Sequence, residues 1–187
     1  MPILRLPGPP ALSAFRHTKL LEQLAQAVPG VEDVSAHYEH LVDLEKELTK
    51  DERRLLDELL LYGPAYSDYE VSGHTLLVVP RLGTISPWSS KATDIARNCN
   101  LGAVRRIERG ISYSLKVSEE FKPELQAVLA SCIHDRMTET VLPGNSDCSR
   151  IFVSHDAAPL AHVPVTSGGR GALEAANTGL EIGRAHV

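Results

Sequence analysis

An α+β fold, a mostly antiparallel sheet covered by helices, is what this sequence predicts. Three observations lead there. Strand-like and helix-like stretches alternate along most of the 187 residues. Neither a P-loop nor a dinucleotide fingerprint stands at any strand-to-helix turn, which removes the strongest reason to expect a nucleotide-binding parallel sheet. The composition, 43% hydrophobic and 23% charged, is that of an ordinary globular chain long enough to bury one core.

The elements follow in order. Ile3 to Leu6 is a short strand candidate that Pro7, Gly8, Pro9 and Pro10 should close. Ser13 is placed to cap a helix whose apolar positions Phe15, Leu20, Leu21, Leu24 and Val28 recur at helical spacing until Pro29-Gly30. Val34, Ala36, Tyr38 and His40 alternate with Ser35, His37 and Glu39, the period of a strand with one buried face. Thr49 with Glu52 is a capping box, and Leu55, Leu56, Leu59 and Leu60 form the stripe of the helix that follows, stopped at Gly63-Pro64. Thr75 to Val79 reads as a strand ending at Pro80.

Ser89 or Ser90 is expected to cap a third helix with Ala92, Ile95, Ala96 and Cys99 inward and Lys91, Asp94 and Arg97 elsewhere. Ile107, Ile111, Tyr113, Leu115 and Val117 share one parity, as in a long strand, with Gly110 as a bulge or bend. Ser118 is the expected cap of a fourth helix, with Glu119 and Glu120 at its positive end. Its buried face would be Leu125, Val128, Leu129, Cys132, Ile133 and Met137, and it should run to about Val141. Beyond Pro143-Gly144 the pattern weakens to a strand-like run at Ile151 to Val153 and a helix beginning near Gly171. A boundary is therefore expected between about 142 and 165, with a main domain over 1–145 and the start of a linker over 146–180.

Function classes narrow in the same way. A net charge of −5 argues against a nucleic-acid partner. No apolar run approaches the 18 residues of a membrane span, so no membrane partner is expected and the cytoplasm is the default. Cys99, Cys132 and Cys148 are odd in number and far apart, which fits neither a zinc site nor a disulfide scaffold.

The most distinctive segment is Pro80-Arg81-Leu82-Gly83-Thr84-Ile85-Ser86-Pro87-Trp88-Ser89-Ser90-Lys91-Ala92-Thr93-Asp94-Ile95-Ala96. It resembles a signature of the long, single-chain phosphoribosylformylglycinamidine synthases. Further stretches resemble the same family in the same order: Pro10 to Arg16, Tyr62-Gly63-Pro64, Ile107-Glu108-Arg109-Gly110, His134 to Thr140, and Pro164-Val165-Thr166. The resemblance implies an N-terminal domain built like a fused pair of the small PurS subunit. Its partners would be a synthetase region that binds ATP and magnesium and a glutaminase with a Cys-His-Glu triad, neither of which this sequence contains. The family reaction is a glutamine-dependent ligation. ATP activates the amide oxygen of formylglycinamide ribonucleotide, and ammonia from glutamine then displaces phosphate. The S-E-H-C-R-H motif of the family has no counterpart here, so the chain alone is expected to be an inactive fragment with a docking role, no catalytic residue and no metal site. The alternative is a stand-alone PurS-like module that binds separate synthetase and glutaminase subunits.

The end of the chain departs from the family. Glu181-Ile182-Gly183-Arg184-Ala185-His186-Val187 equals one reading frame of a widely used sequencing adapter, and is expected to be an artefact that closes a truncated reading frame.

Candidate substrate-binding or interface residues are Thr84, Ser86, Ser89, Ser90, Lys91 and Asp94, hydroxyls and charges at a helix start where backbone N–H groups favour an anion. Ordinary capping by serine explains the same pattern. Lys91 is a phosphate ligand or a solvated lysine, and Trp88 an interface anchor or a lid on the core. Asp135 and Glu139, i and i+4 on one expected helix with His134 and Arg136, form a metal or acid/base pair or, more simply, a solvated face with an Arg136 ion pair.

Overall fold

The computed structural model describes residues 3–63, 73–118, 123–153, 160 and 162–180. It divides the chain into two compact units, Met1–Ser154 and His155–Val187. The adapter-like tail 181–187 and the acidic start Glu119-Glu120 of the fourth helix lie outside the described residues.

Five strands make the sheet: β1 (Ile3–Pro10), β2 (Val31–Leu44), β3 (His74–Pro80), β4 (Val104–Val117) and β5 (Glu139–Pro143), in the order β1-β2-β4-β3-β5. Every pairing is antiparallel. The sheet is thus the expected one, with helices covering it. Its spine is the pair of 14-residue strands β2 and β4, in continuous register from Asp33↔Lys116 to Asp43↔Arg106.

Parity along these strands sorts the core. Val34, Ala36 and Val42 of β2, with Ile107, Tyr113 and Leu115 of β4, look toward the helices. On that face α1 (Ala14–Ala27) and α4 (Pro123–Ile133) bury Leu24 and Leu129 over one half of the sheet. The helices α2 (Lys50–Leu59) and α3 (Pro87–Asn98) bury Leu56 and Ala96 over the other half. Two helix pairs, each with its own apolar cluster, therefore share one sheet. Leu41, Leu77 and Val79 have the opposite parity and meet Cys148 and Ile151 of a 3-10 helix, Cys148–Phe152, on the reverse face.

Caps fix several ends where the sequence places them. The Ser13 side chain accepts from the Arg16 N–H, and Thr49 and Glu52 form the full reciprocal box. Gly30 and Gly63 follow α1 and α2 with φ of 87° and 72°, left-handed values that a side chain resists.

Other expectations are corrected. β1 runs through its prolines to Pro10 because it is an edge strand, where a missing N–H removes no ladder bond, and its register shifts between Pro7 and Pro10. Gly110 is no bulge: it pairs in register with Glu39, and a Cβ there would stand 2.8 Å from the Val78 carbonyl oxygen. The bulges of β2 lie at its ends, between Val31 and Asp33 and between Asp43 and Leu44. The fourth helix stops at Ile133, and 139–143 is strand β5 paired with β3, so Met137 is exposed in the intervening turn. Phe15 and Val128, counted as inward, are exposed. Ile151 lies in the 3-10 helix and not in a strand.

In the second unit α5 spans Val165–Leu180, six residues ahead of the expected start, with a kink at Gly169, whose φ of 55° lies in the left-handed region.

Candidate functional site

The signature segment leaves β3 at Pro80, turns at Gly83 (φ 81°), and enters α3. The cap of α3 is Ser86, not Ser89 or Ser90: its side chain accepts from the Ser89 N–H at 3.0 Å, and Pro87 takes the first helical position, where no N–H is needed. Moving the cap to Ser86 rotates the inward face. Ser89, Thr93 and Ala96 are buried, while Ile95 is 51% exposed and Cys99 only half-buried.

Burial of Ser89 and Thr93 has a backbone cause. β3 pairs with β4 only between Ile111 and Leu115, so Ile107 has no strand beside it on that side. The Ser89 hydroxyl donates to the Ile107 carbonyl at 2.6 Å, and the Ile107 N–H donates to the Thr93 hydroxyl at 3.0 Å. Two side chains of α3 thus complete a ladder that β3 has abandoned, and no buried peptide group at that residue is left unpaired.

On the reverse face the fully buried Glu108 carboxylate holds the loop. It accepts from the Ser86 hydroxyl at 2.5 Å and from Arg106 at 3.2 Å. Arg106 also donates to the carbonyls of Thr84 and Ile151, and its guanidinium lies 5.0 Å from the Phe152 ring centroid. Burying a carboxylate is costly unless charge and hydrogen bonds compensate, and both are supplied here. The signature loop, β4 and the 3-10 helix are tied together at this one ion pair.

The Thr84 hydroxyl is exposed and donates to the Arg81 carbonyl at 2.6 Å. Ser86 and Ser89 are committed to the cap, Glu108 and Ile107. Ser90 is exposed with a long bond to the Ser86 carbonyl, 3.5 Å. Asp94 is exposed. Lys91 is exposed and lines a cavity of about 310 Å³ between α2 and α3.

That cavity ends on Trp88, already a candidate interface anchor, and on Tyr62 and Arg109, which the sequence did not single out as a site. Its walls are aliphatic, including Leu60, Ala92, Ile95 and Ile107, and its polar end is Tyr62, Trp88 and Arg109. The Arg109 guanidinium lies over two rings, 4.2 Å from the Tyr38 centroid and 4.8 Å from that of Trp88. The Tyr62 hydroxyl bridges Arg109 at 3.2 Å and His40 Nε2 at 2.7 Å, and His40 stacks on Trp88. Burial first, then the Arg109 charge, push His40 down to about 4, so its ring is neutral near pH 7. Trp88 therefore covers the core and shapes the cavity together. Strand parity already pointed His40, and Arg109 two residues before Ile111, toward the helices; the signal was present without a reason to group them.

The acid/base pair considered at Asp135 and Glu139 is not on a helix. Glu139 begins β5, and its carboxylate accepts from the Asp135 N–H at 2.8 Å, closing a turn. Among the described residues no group of His, Cys, Asp and Glu has the makings of a metal site, and no helix is long and apolar enough to cross a membrane.

Compared with known families, residues 37–152 match the model described as formylglycinamide ribonucleotide amidotransferase N-terminal.

Proposed function

Because this chain belongs to the formylglycinamide ribonucleotide amidotransferase N-terminal family, we propose that it is the docking domain of a phosphoribosylformylglycinamidine synthase and supplies no catalytic group of its own. The observation that carries the reading is the match over 37–152, which runs from within β2 to the end of the 3-10 helix and so takes in all of β4 and the signature loop. The reaction served is the ATP- and glutamine-dependent conversion of formylglycinamide ribonucleotide to its amidine. ATP, magnesium and the glutaminase chemistry belong to the synthetase and glutaminase regions of the enzyme, which are the partners of this domain. Catalysis of that kind depends on positioning and electrostatic stabilisation, and a rigid body docked beside the site contributes by holding those regions in register.

Two features support a docking role. The helices sit in two pairs on one sheet face, the arrangement expected of a fused pair of PurS-like units. The signature loop is anchored by a buried ion pair at its start and by Ser89 and Thr93 behind it, which presents Thr84, Ile85 and Lys91 outward on a fixed frame. Sedimentation of the chain with a family synthetase–glutaminase body that lacks its N-terminal domain tests the reading. A 1:1 complex is expected; two species that sediment independently at micromolar concentration would refute it.

A further inference from the structure

The cavity between α2 and α3, which includes Lys91 of the signature segment in its lining, joins an aliphatic wall to a cationic end. We infer that it is a binding site for a small amphiphilic oxyanion, an aliphatic body carrying one carboxylate or phosphate group.

The volume, about 310 Å³, falls at the lower end of the range of ligand pockets, which are typically apolar with a few convergent polar groups. Here the aliphatic wall faces a cationic end. The Arg109 guanidinium lies over the rings of both Tyr38 and Trp88. A guanidinium carries its donors in its own plane, as a fork that meets an oxyanion bidentately. Of the five donors a guanidinium carries, the hydrogen bond formed among the described residues is the one to Tyr62. Unlike Arg5, Arg105 and Arg106, Arg109 makes no ion pair among the described residues. Lys91, on the same cavity, makes none either.

Two cations that make no ion pair among the described residues, on an apolar cavity, define the ligand by complement. A neutral apolar molecule leaves both charges unanswered, and a bare inorganic anion leaves the aliphatic wall unused. Neutral His40 behind Tyr62 adds no competing positive charge near pH 7. Ile95, half-exposed at the wall, is where the apolar tail would emerge.

Trp88 is the single tryptophan of the chain and lines the cavity, so its emission reports on occupancy directly. The full chain is titrated with octanoate, octyl phosphate and octan-1-ol. Both anions should change Trp88 emission saturably, and octan-1-ol should bind roughly tenfold or more weakly, the worth of a charge-assisted hydrogen bond. Arg109→Gln should weaken octanoate to a similar degree and Lys91→Gln less. Since Arg109 also braces Tyr62, the exposed variants Lys91→Gln and Ile95→Glu carry the test if Arg109→Gln fails to fold; Ile95→Glu should abolish octanoate binding by placing a carboxylate in the wall. Equal affinity for octan-1-ol and octanoate, no saturable response to either anion, or full octanoate affinity in Lys91→Gln and Ile95→Glu would each overturn the assignment.

Discussion

At the scale of single residues, His40 and Gly110 show how a position is decided by what presses on it. His40 is buried at the centre of the helix-facing side, against Tyr62, Trp88 and Arg109. Its pKa of about 4 lies below the ordinary value of 6.5, so between those pH values the unfolded chain binds the extra proton. The stability that follows is fully present above pH 6.5 and is lost as pH falls toward 4, up to about 3 kcal/mol. Unfolding free energies at pH 7 and pH 4.5 should therefore differ less in His40→Gln than in the parent, by about 2 kcal/mol; identical pH dependence in the two would refute this. His37, lowered by burial as well, contributes to both chains alike. Gly110 is required by a close approach: because the Val78 carbonyl stands where a Cβ would go, Gly110→Ala should cost about 1–3 kcal/mol in a urea melt. Strand parity placed His40 on the helix-facing side, but among eight histidines nothing in the chain alone grouped it with Arg109, and a strand glycine reads equally as a bulge.

At the scale of elements, legibility followed the chemistry of the ends. The capping box of α2 and the cap of α1 are local signals, complete within four residues, and both were read correctly from the sequence. The start of α3 was misread because three serines compete for it. Pro87 decides for Ser86, since proline suits the first helical position, and Glu108, far along the chain, then completes the choice. This difference predicts two unequal caps. Thr49→Ala should cost about 1 kcal/mol, the ordinary value for an exposed cap. Ser86→Ala also strips a hydrogen bond from a fully buried carboxylate and should cost about 2–3 kcal/mol. Chemical denaturation of the two variants in parallel checks the ranking, and equal losses would count against the clamp. The turn at Asp135–Thr138 was hidden for the opposite reason: Leu129 and Ile133 keep helical spacing up to the break, and β5 exists only because β3 offers an unpaired edge.

At the scale of the whole molecule, the antiparallel sheet and its helical cover were legible because strand parity is an intrinsic property of the chain. Alternation in β2 and β4 assigns the helix-facing side correctly along most of both strands. What alternation does not carry is the second covered face. Glu39, Leu41 and Asp43 are as buried as their neighbours because the Arg5 side chain meets Glu39, the 3-10 helix packs on Leu41, and Arg105 pairs with Asp43. The family, by contrast, was legible in the signature segment itself, a continuous run of residues that needs no tertiary contact to be read. The proposal that this chain is a positioning body for an enzyme whose reacting groups lie elsewhere is open to one direct assay. Glutamine-dependent amidation of formylglycinamide ribonucleotide is measured with ATP and magnesium, first with the purified chain alone, then with a synthetase–glutaminase body stripped of its N-terminal domain, then with both. The prediction is no turnover by the chain and a large gain when it is added to the stripped body; turnover by the chain alone, or a stripped body indifferent to its addition, would contradict the account.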